Sequence, residues 1–148
     1  MNSLTENSFT VKITGLWTVF LLGTLFHTQL ALMPLFHGMG VAESHTHNFA
    51  SVDAVMWFML LFFSLPLLAI IGCVFLTSRR FRLLHFVMTV VYTILNLLHL
   101  VIDTLIAAPS YQLALMTLLL LVGLLVNVVS YQWIKIDSRA ASKLKFLR

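Results

Sequence analysis

Four long apolar blocks, separated by short polar segments, dominate the pattern of hydrophobic and polar positions along the chain. The blocks cover residues 13–36, 54–76, 83–107 and 111–134. Each is longer than 20 residues, and a helix needs about 20 residues to cross roughly 30 Å of hydrocarbon. Because lipid offers the backbone no hydrogen-bond partner, apolar runs of this length predict membrane-spanning helices.

The segments between the blocks predict how the helices are arranged. The connections after the second and third blocks are very short, and the fourth block follows Pro109-Ser110. Helices joined in this way run antiparallel and side by side. The predicted fold class is therefore all-α: an integral membrane, antiparallel four-transmembrane-helix bundle, with residues 1–148 forming a single membrane domain.

Composition excludes an ordinary soluble domain. Hydrophobic residues make up 60% of the chain and charged residues only 9%, whereas globular domains have about 45–50% and about 25%. So few charges cannot cover the surface of a water-soluble protein of this size. Lipid is therefore the expected solvent for most of the surface.

The distribution of basic residues predicts the orientation. All nine lie in the N-terminal segment, the second loop or the C-terminal tail; they are Lys12, Arg79, Arg80, Arg82, Lys135, Arg139, Lys143, Lys145 and Arg148. Lys and Arg stay in the cytoplasm during insertion, so both termini are expected to be cytoplasmic. The net charge of +4 is then one-sided, which favours anionic lipid headgroups as its partner and argues against nucleic acid. The membrane is expected to be an inner, plasma or thylakoid-type membrane.

The third block carries a stripe of polar residues. His85, Tyr92, Asn96, His99 and Asp103 follow one another at spacings of seven, four, three and four, which place side chains on one face of a helix. Polar groups in a membrane are costly unless they face the protein interior. The stripe is therefore predicted to face the inside of the bundle.

Imidazoles and carboxylates collect on the side opposite the basic residues, which suggests a metal site. The candidate ligands are His37, His45, His47, Asp53, His99 and Asp103. Such side chains bind zinc, copper or iron. His99 and Asp103, four residues apart, are expected to anchor the ion. His27 or His37 would join them from the first helix, and His47 or Asp53 would close the site.

Haem is an alternative interpretation of the same region. His27 and His99 lie about 4 Å and about 6 Å to the outer side of the middle of their helices, so their side chains could meet at one level. This layout is similar to that of membrane-anchor b-type cytochromes of respiratory complexes, and the resemblance implies axial ligation of a haem by both histidines. The lack of Arg or Lys on that side, which haem propionates would need, counts against it.

Two further functions stay open at this stage. The polar stripe could relay protons or a cation across the bilayer. Alternatively, the chain could be a non-catalytic accessory or assembly subunit of a larger membrane complex, for example one for electron transport. No G-x-S-x-G, H-E-x-x-H, Walker or dinucleotide motif occurs, so the sequence does not favour an enzyme.

Overall fold

The structure is a computed structural model that describes residues 3–38 and 52–146. Within these ranges it contains four helices and no strand: α1 Ser3–Phe36, α2 Val52–Phe75, α3 Arg79–Leu105 and α4 Ser110–Phe146. Each helix includes a segment long and apolar enough to cross a membrane. The predicted all-α fold with four spans is confirmed, and the chain is a multi-pass membrane protein.

Two of the helices are longer than the apolar blocks that predicted them. Helix α1 begins at Ser3, ten residues before its block, and α4 continues to Phe146, twelve residues beyond its block. Hydropathy reports where lipid is the solvent, whereas helical hydrogen bonding continues into the flanking polar sequence. The apolar blocks therefore mark the membrane portion of each helix and not its ends.

Helix α4 lies at the centre of the packing. Its backbone approaches those of α3 and α1 closely, and α1 in turn packs against α2. Small residues permit these approaches: a Cβ on Gly23 would collide with the Leu119 side chain, and a Cβ on Gly123 would lie 3.0 Å from Thr93 Oγ1. Close helix contact at such positions is typical of membrane bundles.

Helices α2 and α3 are joined by only three residues, yet their backbones do not pack closely along their length. They meet through side chains, where Phe81 lies over Gly72 and where the rings of Phe62 and Tyr92 lie 4.9 Å apart. A short connection brings together only the adjoining ends of two helices. At the opposite end α2 stands away from α3, and a cavity lies between them.

Pro66 lies within α2 and explains the contact between Tyr92 and that helix. Proline has no N–H, so the carbonyl of Phe62, four residues earlier, loses its helical partner. The Tyr92 hydroxyl donates a hydrogen bond of 2.7 Å to this carbonyl. A side chain of the α3 stripe therefore satisfies a backbone group that lipid could not.

At the end of the bundle that carries the basic residues, here called the basic end, Arg82 ties three helices together. The side chain is only 1% exposed, although the sequence placed Arg82 among the basic residues of the second loop, which are expected to face lipid headgroups. Its Nη2 donates to Glu6 Oε1 of α1 at 2.6 Å, and its Nη1 donates to the Trp133 carbonyl of α4 at 3.4 Å. The guanidinium also lies 5.0 Å from the centre of the Trp133 ring. Arg82 is thus a buried ion-pair partner and not a surface charge.

One turn further along α3, His85 makes a second connection between the same helices. It is 2% exposed, as expected for a member of the polar stripe. Trp17 Nε1 donates to His85 Nε2 at 2.9 Å, and His85 Nδ1 lies 3.3 Å from Ser130 Oγ. Since indole N–H can only donate, Nε2 carries no proton and the imidazole is neutral. Both ring nitrogens have partners, so His85 has a structural role.

Removal of the Tyr92 hydroxyl tests its pairing with the Phe62 carbonyl. We expect Tyr92→Phe to lower the free energy of unfolding by about 1 kcal/mol, because a carbonyl in hydrocarbon loses its only donor. In a Pro66→Ala background the helix regains its own N–H, so the same substitution should cost less. Unfolding by SDS titration in detergent micelles measures both effects. Tyr131→Phe, at an exposed hydroxyl, is the control, and equal costs in both backgrounds would contradict the pairing.

Replacement of Arg82 tests the buried ion pair. We expect Arg82→Met to lower the free energy of unfolding by about 3 kcal/mol, because Glu6 loses its partner in a largely buried place. Arg80→Met, at an exposed position on the same turn of α3, should change it by less than about 0.5 kcal/mol. The two variants remove the same charge and differ only in burial. Equal stability of the two in the same SDS titration would refute the structural role of Arg82.

Candidate metal centre

The polar stripe of α3 faces the interior of the bundle along most of its length. His85, Tyr92, Asn96 and Asp103 are buried, as the spacing predicts. His99 departs from this pattern, since 53% of its side chain is exposed. It stands at the edge of the cavity between α2 and α3. The outer part of the stripe is therefore partly open, whereas its inner part is enclosed by other helices.

Three side chains converge near the end of the bundle opposite the basic residues, here called the outer end. His27 of α1 and His99 of α3 each place Nε2 3.5 Å from the same oxygen, Oδ2 of Asp103. The two imidazole rings are 5.3 Å apart between centres and nearly perpendicular. His99 and Asp103 share a face because they are four residues apart. We call His27, His99 and Asp103 the His/Asp cluster.

The local backbone fixes where Asp103 lies. It is in the last turn of α3, and its own carbonyl accepts a hydrogen bond of 2.9 Å from the N–H of Ala108 after the chain has turned. Ala107, with a φ of 54°, makes this turn possible. The carboxylate is therefore held at the outer end of the span, one turn beyond His99.

Among the described residues, the carboxyl group of Asp103 pairs with the two imidazoles of the cluster and with no Lys or Arg. Asp103 is 7% exposed, and its Oδ2 has no hydrogen-bond partner among the described residues. The nearest basic residue along α3, Arg82, is 21 positions away, or about 31 Å. A carboxylate buried in this way needs a proton or a cation. The two facing imidazoles make the place suitable for a metal ion.

The distances in the cluster match those between ligands of one metal ion. Two ligands bound at about 2.1 Å from an ion, with an angle of 90–110° between them, lie about 3.0–3.5 Å apart. Both histidine–aspartate distances are 3.5 Å, and all three ligand atoms lie within 4.8 Å of one another. Only the two histidines have to approach each other for one ion to contact all three.

The same geometry is less suited to a haem. Axial histidines approach the iron from opposite faces of a porphyrin, and that ring must fit between them. Here both Nε2 atoms lie 3.5 Å from one carboxylate oxygen, and the imidazole ring centres are only 5.3 Å apart. The arrangement of His27 and His99 therefore favours a single ion over a macrocycle.

The other sequence-derived candidates lie elsewhere. His37 and Asp53 are exposed, at the end of α1 and the start of α2, and within the described residues neither belongs to the His/Asp cluster. His45 and His47 lie outside the described residues. Of the two histidines that the sequence offered from the first helix, His27 and His37, it is His27 that lies beside His99 and Asp103. Matched depth was the sequence signal for His27, but depth does not tell which way a side chain points.

A cavity of about 500 Å³ borders the cluster. It lies between α1, α2 and α3, and both His27 and His99 contribute to its wall. Most of the remaining wall is apolar. A metal ion in the cluster would therefore have a dry, shaped space on one side, which is typical of sites that bind a small molecule.

Comparison with known proteins identifies no relative, since the chain matches no protein-family model, no curated protein and no solved structure.

Proposed function

We propose that this protein is a membrane metalloprotein that binds one transition-metal ion through His27, His99 and Asp103. The observation that carries the proposal is the convergence of three ligand atoms from two helices within 4.8 Å. The region contains a buried carboxylate and no basic residue to neutralise it. A divalent cation would supply the missing positive charge and give Asp103 Oδ2 a partner.

The donor set favours zinc or ferrous iron. Two imidazoles and one carboxylate form the facial set found in non-haem iron sites, and zinc takes a similar set in catalytic sites. Calcium and magnesium prefer oxygen ligands, so two nitrogen donors count against them. Copper binds imidazole well, but the carboxylate makes this donor set less suited to it.

Three protein ligands leave at least one coordination position for another molecule. Structural zinc sites are normally closed by four protein ligands, whereas catalytic sites keep a position open. In this protein the open side faces the cavity, whose wall includes His27 and His99. We therefore infer that the ion binds a small molecule, either to act on it or to be transferred to it. Holding the helices together is not its main role.

From the positive-inside rule we propose that this centre lies on the side away from the cytoplasm. All basic residues lie at the other end of the predicted spans, and we propose that this basic end faces anionic headgroups of the cytoplasmic leaflet. The metal would then lie in the outer half of the bundle, beside the last turn of α3.

Metal analysis of histidine variants tests this proposal. Protein carrying a tag without histidine is purified in mild detergent without chelators, loaded with Zn²⁺ or Co²⁺, and washed. We expect about one ion per chain, and His27→Ala, His99→Ala and Asp103→Asn should each weaken binding by about 100-fold or more, because each removes one of three ligands. The visible spectrum of the Co²⁺ form reports the coordination number and excludes adventitious surface binding.

His37→Ala is the matched control, because it removes an exposed histidine that directly follows α1, the helix of His27. Its metal content should equal that of the parent protein. Equal metal in all variants, or equal loss in the control, would refute the assignment of the site. Protein that binds no ion at all would favour the alternative of an accessory subunit.

A further inference from the structure

The cavity beside the His/Asp cluster has a wall of an unusual kind for a helix interface. Aromatic and thioether side chains from three helices dominate it, namely Phe20, Phe58, Phe62, Phe63, Met59 and Met116. At about 500 Å³ it is in the range of sites that hold small organic ligands. Flat aromatic walls favour a flat ring, and methionine adapts to its outline.

The cavity can be entered from lipid. On one side it is bordered by Val55 and Phe58 of α2, and on the other by Leu98 and Ile102 of α3; all four side chains are exposed on the apolar surface of the bundle. This mouth lies where α2 stands away from α3. This mouth is open to a ligand that is dissolved in the bilayer.

Asn96 is the polar group that indicates what the ligand carries. It is 6% exposed, it contributes to the cavity wall, and among the described residues neither its Nδ2 nor its Oδ1 has a hydrogen-bond partner. The comparison with Asn127 is informative, since Asn127 Nδ2 donates to Thr93 Oγ1 at 3.0 Å and joins α4 to α3. Asn96 makes no such connection. Both amide atoms are enclosed by neighbouring side chains, so the amide must turn into the cavity to meet a ligand. A buried amide without partners is costly in hydrocarbon, and a ligand that bonds to it removes this cost.

The depth of Asn96 distinguishes a phospholipid from a lipid-soluble ring compound as the ligand. Asn96 is four residues from the middle of α3, or about 6 Å. The polar atoms of a phospholipid stay near the headgroups, about 15 Å from the midplane. An acyl chain in the cavity would bring Asn96 no hydrogen bond, whereas a polar ring that dissolves in hydrocarbon would.

We propose that the cavity binds the headgroup of a lipid-soluble quinone or its quinol. The ring packs among the phenylalanines, a quinone carbonyl accepts from Asn96 Nδ2, and a quinol hydroxyl donates to Asn96 Oδ1. The isoprenoid tail leaves through the mouth between Phe58 and Leu98. This inference goes beyond the metal centre and does not depend on it, although His27 and His99 face the same space.

Binding of decylubiquinone to protein in phospholipid nanodiscs tests the inference. The quinone bound per chain is measured by chromatography after capture of the discs, and the amount taken up by empty discs is subtracted. We expect saturable binding near one quinone per chain. Asn96→Leu should raise Kd about ten-fold, because it removes the hydrogen bonds and keeps the volume. Leu98→Trp, which fills the mouth from an exposed position, should block binding.

Asn127→Leu is the matched control, because it makes the same substitution at an asparagine of the α3–α4 contact and leaves the cavity wall intact. Its Kd should equal that of the parent protein. Unsaturable uptake equal to that of empty discs, or an unchanged Kd in Asn96→Leu, would overturn the proposal. Displacement of the quinone by an equal concentration of 1-dodecanol would also overturn it, since a single-chain alcohol has no ring.

The same titration on chelator-treated protein separates this inference from the metal centre. Saturable quinone binding without metal supports the cavity site even if no variant affects metal content. Metal binding without quinone binding supports the His/Asp cluster alone and refutes the quinone assignment.

Discussion

The absence of water in the bilayer core is the constraint on which this structure depends. A polar group in hydrocarbon must find its partner within the protein, and the helices are arranged so that most do. Tyr92 donates to the carbonyl that Pro66 leaves unpaired, Asn127 donates to Thr93, and His85 bonds with Trp17 and Ser130. Helix α3 supplies a member of each pair. It is therefore the element through which the polar interior is organised.

In the outer half of the bundle, several buried polar atoms that lie near one another have no hydrogen-bond partner among the residues that the structure describes. Asp103 Oδ2, His27 Nδ1 and both amide atoms of Asn96 lack hydrogen-bond partners in the described part of the chain. Single atoms of Asn127 and Trp133 also lack partners, but neither residue contributes to the cavity wall. His27 and Asn96 line the cavity, and Asp103 adjoins His27. Neighbouring unpaired groups of this kind indicate a missing partner more strongly than scattered ones do. The metal centre and the quinone site are proposed as the partners.

The helix contacts at the basic end are related to the opening at the outer end. At the basic end, Arg82 and His85 hold α1, α3 and α4 together through buried hydrogen bonds. This connection allows α2 to be held mainly by α1, so that its outer half can stand away from α3. The opening next to His99 follows from that separation. A rigid inner half and an open outer half suit a protein that admits a ligand from lipid.

The amino-acid sequence by itself determined the four spans, the helical class and the polar face of α3, because each depends on local transfer free energy or on the fixed 3.6-residue period. It also showed that His99 and Asp103 share a face, since four residues separate them. Only the tertiary structure decided that His27 meets them, that Arg82 is buried, and that α2 leaves a cavity beside Asn96. Those outcomes depend on how each helix is rotated and tilted against its neighbours. Rotation and tilt are set by side-chain packing between segments that are distant in the sequence, and a local pattern does not predict such packing.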